Sequence, residues 1–415
     1  MKIVTFNWCY GVGSTGKIIN DIEECLPEVD FFHIFEYYGS SKKKNVYRLS
    51  NRVYYRICLE WARITGRKYD TGIIATWKAI RLLKRIKPDA VHIHCPNASS
   101  IDLFVLLNYL KKNGIKTIIT NHAEFFYTGN CPHANECMKY VSGCGDCGNL
   151  RKATDSYFID HTAKSWSKMK KAIAEFNQLT MVAVSKWQLD RMAMSPIVDN
   201  IRKVVINNGI NTDVFRYNSE IPIDSVGKAI GLTKGDIAKL QRKIILHVTA
   251  HFSSNENDPK GGGFFIKLAK SYIENPEYVF IVAGTCAPDE HVPENMLLLG
   301  NIQEQRLLSY LYNHAEVLVI TSKRETFGMS VAESLCCGTP VVGFKNGGSE
   351  SVAIPEFCRF VDCYGDVDAL RCEMEIVLSA VKNQQYDKAS ISVKACDLYS
   401  REAMAEKYRM LYEGD

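Results

Sequence analysis

Two glutamates stand eight positions apart in the run Glu325-Thr-Phe-Gly-Met-Ser-Val-Ala-Glu333. The first falls in a turn, Gly328 sits where a helix should begin, and the second lies within that helix. Backbone N–H groups at a helix start attract phosphate, and carboxylates accept hydrogen bonds from hydroxyls. Glu325, the amides of Phe327, Gly328, Met329 and Ser330, and Glu333 could therefore grip a nucleotide-sugar from several sides. Two surface carboxylates beside a buried strand–helix corner would produce the same spacing.

Gly11-Val-Gly13-Ser-Thr-Gly16-Lys17 is a second candidate phosphate site. As GxGxxG it matches a dinucleotide fingerprint, with Glu36 twenty residues past Gly16 as the ribose-binding acid. Against that reading, the four residues Asn7 to Tyr10 separate the predicted strand from the first glycine. As GxxxxGK it approaches a Walker A loop, but Ile18 stands where a hydroxyl must hold Mg²⁺. Thr120-Asn-His122-Ala-Glu124 closes another predicted strand. Ligands of open α/β sheets sit beyond strand C-termini, which makes His122 a candidate contact.

Cys131-x5-Cys137-x6-Cys144-x2-Cys147, with His133 nearby, places four cysteines within seventeen residues. The Cys-x2-Cys half is typical of a Cys₄ zinc site, and the first pair is spaced more widely. In a reducing compartment zinc is favoured, with disulfides or free thiols as the alternative. A site filled by four protein ligands would be structural, outside the catalytic centre.

These groups need a scaffold. A chain of 415 residues is long enough for two domains with separate cores. With 46% hydrophobic and 23% charged residues it has the composition of a soluble globular enzyme. Several of its cysteines (Cys25, Cys58, Cys286, Cys336) are scattered singly in apolar stretches, as reduced core cysteines are. Met1-Lys2 leads straight into Ile3–Phe6 with no leader pattern, and no apolar run is long enough to span a membrane. A cytoplasmic protein is expected. Predicted strands Ile3–Phe6, Phe31–Phe35, Ala90–His94, Thr117–Asn121 and Met181–Val184 alternate with helical patterns. A second series follows: Lys243–Thr249, Tyr278–Ala283, Val317–Thr321 and Pro340–Phe344. Between them lies the turn-rich Asn207-Asn-Gly209-Ile-Asn211-Thr-Asp213. Two βα series predict two parallel, doubly wound sheets.

The Glu325–Glu333 block, followed by Cys337-Gly-Thr-Pro-Val-Val-Gly343, resembles the Glu-x7-Glu signature of retaining GT-B glycosyltransferases of the GT4 family. Ser185-Lys-Trp187, Asn207–Asn211 and Phe344-Lys-Asn-Gly347-Gly348-Ser-Glu350 echo further landmarks. The resemblance is weakest over residues 38–88 and 215–240. Gly13-Ser-Thr-Gly-Lys-Ile resembles a polysaccharide-assembly subgroup.

The resemblance implies an α/β GT-B fold: two Rossmann-like, doubly wound domains facing each other across a cleft. Residues 1–208 would form the acceptor domain, carrying the Cys-rich insertion at 131–147. Residues 209–400 would form the donor domain, and 401–415 a helix crossing back. The donor would be a UDP- or GDP-sugar. Glu333 would hold its ribose, and the amides of Phe327 to Ser330 would meet its diphosphate. Glu325 and His122 would act on the transferred sugar. Lys260, in Asp258-Pro-Lys260-Gly261, and the Gly13-Ser14-Thr15 loop would meet charge building on the leaving group. No Asp-x-Asp motif is present, so the chemistry would need no metal or other cofactor, and zinc would serve structure alone. Two positions depart from the family pattern. Ala123 stands where an acid often follows the histidine, with Glu124 one position later. The arginine partner of Lys260 is missing from His247 to Asn257, leaving His251, Lys323 or Arg324 to supply that charge.

Net charge is +5, unevenly spread. From Lys42 to Lys87 fourteen Lys and Arg face two acids, Glu60 and Asp70, a local +12 that leaves −7 elsewhere (5 − 12). Arg48, Arg52 and Arg56 form one stripe, with Tyr54, Ile57, Trp61 and Ile64 opposite. A second helix sets Trp77, Ile80 and Leu83 against Lys78, Arg81, Lys84 and Arg85. Such helices suit an anionic membrane surface or a phosphate-bearing acceptor, and a solvated face is the plain alternative. No nucleic-acid motif accompanies the charge. The expected acceptor is a glycan on polyprenyl diphosphate, in capsule, exopolysaccharide or O-antigen assembly at the inner membrane face. The competing functions are a nicotinamide-dependent oxidoreductase built on Gly11–Gly16 and a non-catalytic, zinc-stabilised membrane adaptor.

Overall fold

The computed structural model describes residues 1–39, 41, 43–220 and 222–414; Lys42, counted in the basic segment, lies outside them. The chain divides into two compact units, Met1–Asn207 with Met404–Asp415, and Asn208–Ala403.

In the first unit, among the described residues, seven parallel strands are β1 (Lys2–Cys9), β2 (Asp30–Tyr38), β3 (Val46–Arg48), β4 (Ala90–Cys95), β5 (Lys116–Asn121), β6 (Leu179–Ala183) and β7 (Arg202–Val205). Their order is β3-β2-β1-β4-β5-β6-β7. β4 is buried at every position, as a central parallel strand covered on both faces must be. Asn51, Asp102 and Ser185 start the helices Arg52–Thr65, Leu103–Lys112 and Lys186–Ala193 by accepting the N–H of Tyr54, Val105 and Gln188.

The last helix, Arg401–Glu413, places Met404, Ala405, Tyr408, Leu411 and Tyr412 on one face. They pack on Ile3, Ile18, Ile118 and Val182. A buried chain of hydrogen bonds fixes the register: Tyr412 Oη to His92 Nδ1 at 2.7 Å, His92 Nε2 to Thr120 Oγ1 at 2.8 Å, and Thr120 Oγ1 to Tyr408 Oη at 2.8 Å. Thr120 lies two residues before His122, so the carboxyl-terminal helix buttresses that strand end.

In the second unit, among the described residues, the strands are β8 (Lys243–Phe252), β9 (Tyr278–Cys286), β10 (Met296–Leu298), β11 (Ala315–Ile320), β12 (Val341–Phe344) and β13 (Cys358–Val361). All pair in parallel, in the order β10-β9-β8-β11-β12-β13. Both sheets have the doubly wound order in which the chain runs outward from a central strand in each direction. Among the described residues no helix is long and apolar enough to cross a membrane.

Candidate active site

The strand order of the second unit reverses between β8 and β11, where loops leaving the carboxyl ends diverge and leave a crevice. Lys260 lies in the loop after β8 and Glu325 in the loop after β11. Lys260 Nζ sits 2.7 Å from Glu325 Oε1, with 34% and 27% of the two side chains exposed. Glycines let these loops close on one another. Gly261 has φ +71, and a Cβ there would lie 2.0 Å from the Thr321 carbonyl oxygen. A Cβ on Gly348 would lie 2.5 Å from the Phe327 nitrogen. Lys323 N–H donates to the Pro259 carbonyl and Gly348 N–H to that of Glu325, both at 2.8 Å.

The helix Met329–Cys336 starts behind Gly328, with φ +88 and no side-chain cap. Its opening amides therefore lack the side-chain oxygen that normally satisfies them, which suits an anion. Phe327 is buried and offers backbone only. Glu333 lies little more than one turn into this helix and accepts from Tyr312 Oη at 3.0 Å. Tyr312, on the preceding helix Gln305–His314, carried no sequence signal. As for the missing arginine, His251 is exposed at the end of β8. Lys323 Nζ lies 5.7 Å over the Tyr364 ring, and Arg324 is half-buried next to Glu325. His247 is buried against the Val319 carbonyl, and desolvation holds its pKa down at about 4, so it is neutral.

In the first unit β1 continues to Cys9, so Tyr10 alone separates it from Gly11, a tighter turn than the sequence predicts. The helix Gly13–Cys25 opens without a side-chain cap. Gly13 and Ser14 are exposed, and Asn7 Nδ2 donates to Thr15 Oγ1 at 3.1 Å. Glu36 overturns the dinucleotide reading. It is fully buried and accepts from Ser100 Oγ at 2.5 Å, Ser100 N at 2.9 Å and Ala98 N at 3.0 Å. Its oxygens serve the loop after β4, so none reaches a ribose, and the nicotinamide reading loses its acid.

His122 emerges half-buried from β5, its Nε2 3.1 Å from His94 Nδ1, the rings 5.4 Å apart and within 9° of parallel. Burial lowers the His122 pKa to about 4 and that of His94 well below its usual range. Both rings are therefore neutral near pH 7, able to donate and accept hydrogen bonds but carrying no charge. The signal for His94 was present: two histidines at alternate positions in an otherwise apolar, buried strand.

Comparison with known proteins supplies the family. The model of Glycosyltransferase Family 4 matches residues 32–214, and that of Glycosyl transferases group 1 matches residues 249–390. The chain belongs to this GT4 family of glycosyltransferases. The putative colanic acid biosynthesis glycosyl transferase WcaC of Escherichia coli is 19% identical over the whole of both chains. The 2-deoxystreptamine N-acetyl-D-glucosaminyltransferase of Niallia circulans is 24% identical over 152 residues, 34% of this chain and 39% of that protein's length. Among solved structures, WaaG, a glycosyltransferase involved in lipopolysaccharide biosynthesis, superposes with TM-score 0.64 at 13% identity over all of both chains. Anabaena HepE in complex with UDP gives 0.65 at 13% identity, again over all of both chains. The fold is GT-B.

Within this glycosyltransferase, the acid after His122 is structural. Glu124 is buried and accepts from Arg191 Nε and Tyr127 Oη at 2.7 Å and from Ala134 N at 2.5 Å. It anchors the Cys-rich segment to the helix Lys186–Ala193. Within that segment all four thiols are free. Cys131 is buried, and burial, followed by the charge of the neighbouring thiols, pushes its pKa up to about 12. Cys144 is pushed up to about 12 on the same grounds, and its Sγ lies 3.6 Å from the Thr128 carbonyl oxygen. The thiols are thus electrostatic neighbours. Yet among the described residues no group of three or more His, Cys, Asp or Glu is arranged to hold a metal ion.

Proposed function

We propose that this glycosyltransferase is a retaining, metal-independent enzyme. It moves a hexosyl or N-acetylhexosaminyl group from a UDP- or GDP-sugar to a polyprenyl-diphosphate-linked glycan in surface-polysaccharide assembly. The observation that carries the donor part is the Lys260–Glu325 pair at the switch point of the second sheet, beside the uncapped start of Met329–Cys336. The relatives named for colanic acid and lipopolysaccharide biosynthesis support the acceptor class. The HepE complex with UDP-glucose supports the donor class.

In this reading the anomeric C–O bond to the diphosphate breaks and its electron pair stays on the phosphate oxygen. An acceptor hydroxyl bonds to the same face of the anomeric carbon, and its proton passes to the departing phosphate. Charge therefore builds on the leaving group, where preorganised donors act most strongly. Lys260 and the amides of Phe327 to Ser330 meet it, and Glu333 holds the ribose. Glu325 accepts from hydroxyls of the transferred sugar. Gly13, Ser14 and Thr15 keep the phosphate role given by the resemblance, and neutral His122 that of positioning the sugar, with His94 fixing its ring. A cytoplasmic site on the inner membrane face fits an acceptor of this kind. Incubating the enzyme with UDP- and GDP-sugars and following nucleoside diphosphate release, with and without a polyprenyl-diphosphate glycan, tests the reading. Acceptor-dependent release supports it, and no release from any donor rejects it.

A further inference from the structure

The basic helices of the first unit carry an apolar surface that the sequence pattern did not place. In Arg52–Thr65 the inward residues are Cys58 and Ala62, while Ile57, Trp61 and Ile64 are 63%, 57% and 54% exposed. The helix Ile73–Ile86 buries Ile80 and Leu83, but Ile74 and Trp77 in its first turns are 69% and 60% exposed. The stripe Trp77–Ile80–Leu83 read from sequence is therefore split between core and surface. Ile57, Trp61, Ile64 and Ile73 line one open depression of about 640 Å³, with Arg56, Glu60 and Asp70 also on its walls. Four large apolar side chains meeting at one exposed depression, with Ile74 and Trp77 exposed on the adjoining helix, mark a contact surface.

Its surroundings are basic. Arg52 and Arg56 run along the first helix beside the apolar stripe, and Arg81, Lys84 and Arg85 continue the exposed face of the second beyond Trp77. The local acids are already paired: Glu60 with Arg63 at 2.6 Å, and Asp70 with Lys168. Among the described residues Arg52, Arg56 and Arg81 have no carboxylate partner. Exposed indole and aliphatic side chains with unpaired arginines along the same two helices match a leaflet whose headgroups are anionic and whose interior is hydrocarbon.

We propose that this patch is a membrane wedge: Ile57, Trp61, Ile64, Ile74 and Trp77 enter the acyl boundary of an anionic leaflet while the flanking arginines hold its headgroups. This deepens the membrane part of the function proposed above and rests on it. Insertion separates this mechanism from attraction by charge alone, because screening shortens electrostatic reach but leaves apolar burial intact.

The test uses the full chain and vesicles of equimolar phosphatidylglycerol and phosphatidylcholine. The wild type should co-sediment, with tryptophan emission shifted to the blue, and a bound fraction should persist at about 0.5 M salt, where screening is short-ranged. Trp61→Phe with Trp77→Phe should bind but lose most of the shift. Ile57→Ser with Trp61→Ser should weaken binding at least about tenfold at every salt concentration, since removing two half-buried apolar side chains exceeds one decade. Arg52→Glu with Arg56→Glu and Arg81→Glu should abolish binding to these vesicles. Donor hydrolysis should be unchanged in all variants, which also reports that they are folded. Binding without a blue shift, or binding indifferent to Ile57→Ser with Trp61→Ser, overturns the wedge. So does absence of binding, or lipid-free self-association abolished by the same substitutions. Loss of donor hydrolysis in the wild type would strike the donor-site reading alone.

Discussion

Replacing Lys260 by Met in the presence and absence of Glu325→Gln is the sharpest test of the donor site. The ammonium is 2.7 Å from the Glu325 carboxylate. A nucleoside diphosphate must therefore compete with an ion pair already formed. A hydrogen bond to a charged group contributes roughly 1.5–3 kcal/mol, whereas a pair exposed to this degree is worth about 0.5–1 kcal/mol after screening. The difference, about 1–2 kcal/mol, predicts that Lys260→Met weakens UDP or GDP binding by roughly 5- to 30-fold. Glu325→Gln removes the competitor without removing a phosphate ligand. It should leave nucleotide affinity equal or a few-fold tighter, yet slow sugar transfer at least about tenfold, because its bond to the sugar is made in the transition state. In the Glu325→Gln background, Lys260→Met should cost more than in the wild type by the energy of the pair. Calorimetric titration of all four proteins closes the cycle. Unchanged nucleotide affinity in Lys260→Met refutes the assignment of Lys260. Equal losses of affinity in both single variants would show that Glu325 shapes the phosphate site and does not contact the sugar.

Glu333→Ala should raise the donor KM with little change in kcat, because ribose contacts are alike in ground and transition states; a kcat loss alone would contradict the ribose role. Tyr312→Phe, which removes the 3.0 Å bond to Glu333, should shift donor KM in the same direction by a smaller factor, seen in the same steady-state assay. His92 and His247 are buried with pKa values lowered to about 3 and about 4. Unfolding raises each toward about 6.5, so the unfolded chain binds more protons below that pH and stability falls as pH drops. Stability should be fully present above about pH 6.5 and decline toward pH 4 by up to about 1.4 kcal/mol per histidine per pH unit, measured by urea unfolding. A flat profile would contradict their neutral burial. For the cysteine segment we propose a structural zinc on its spacing. Metal analysis of protein purified without chelator should find about one zinc per chain, and Cys144→Ser should lower metal content and melting temperature together. Fully stable, metal-free protein would reject that site.

The hydrophobic periodicity of this chain was sufficient to place its predicted strands and to divide them into two series, because parallel strands buried on both faces read as apolar runs in any context. Gly328 ahead of an apolar run likewise announced a helix start, a local property of the backbone, while the lack of a side-chain cap there came from the structure. Side-chain partners lie beyond such local signals. Glu36 stands at a suitable distance from a glycine loop, but the fold brings Ala98 and Ser100 to it from the loop after β4, and a buried carboxylate takes the nearest donors. Glu124 follows His122 by two positions, yet Arg191, Tyr127 and Ala134 claim it. Lys260 and Glu325 are sixty-five residues apart and meet because β8 and β11 are neighbours in the sheet. Amphipathic patterns in the basic segment were visible, but a pattern shows that a helix has two faces without saying which one the core receives. Cys58, Ala62, Ile80 and Leu83 took the inward positions. Trp61 and Trp77 were left outside because sheet packing sets each helix's rotation about its axis, and that rotation is a property of the assembled unit.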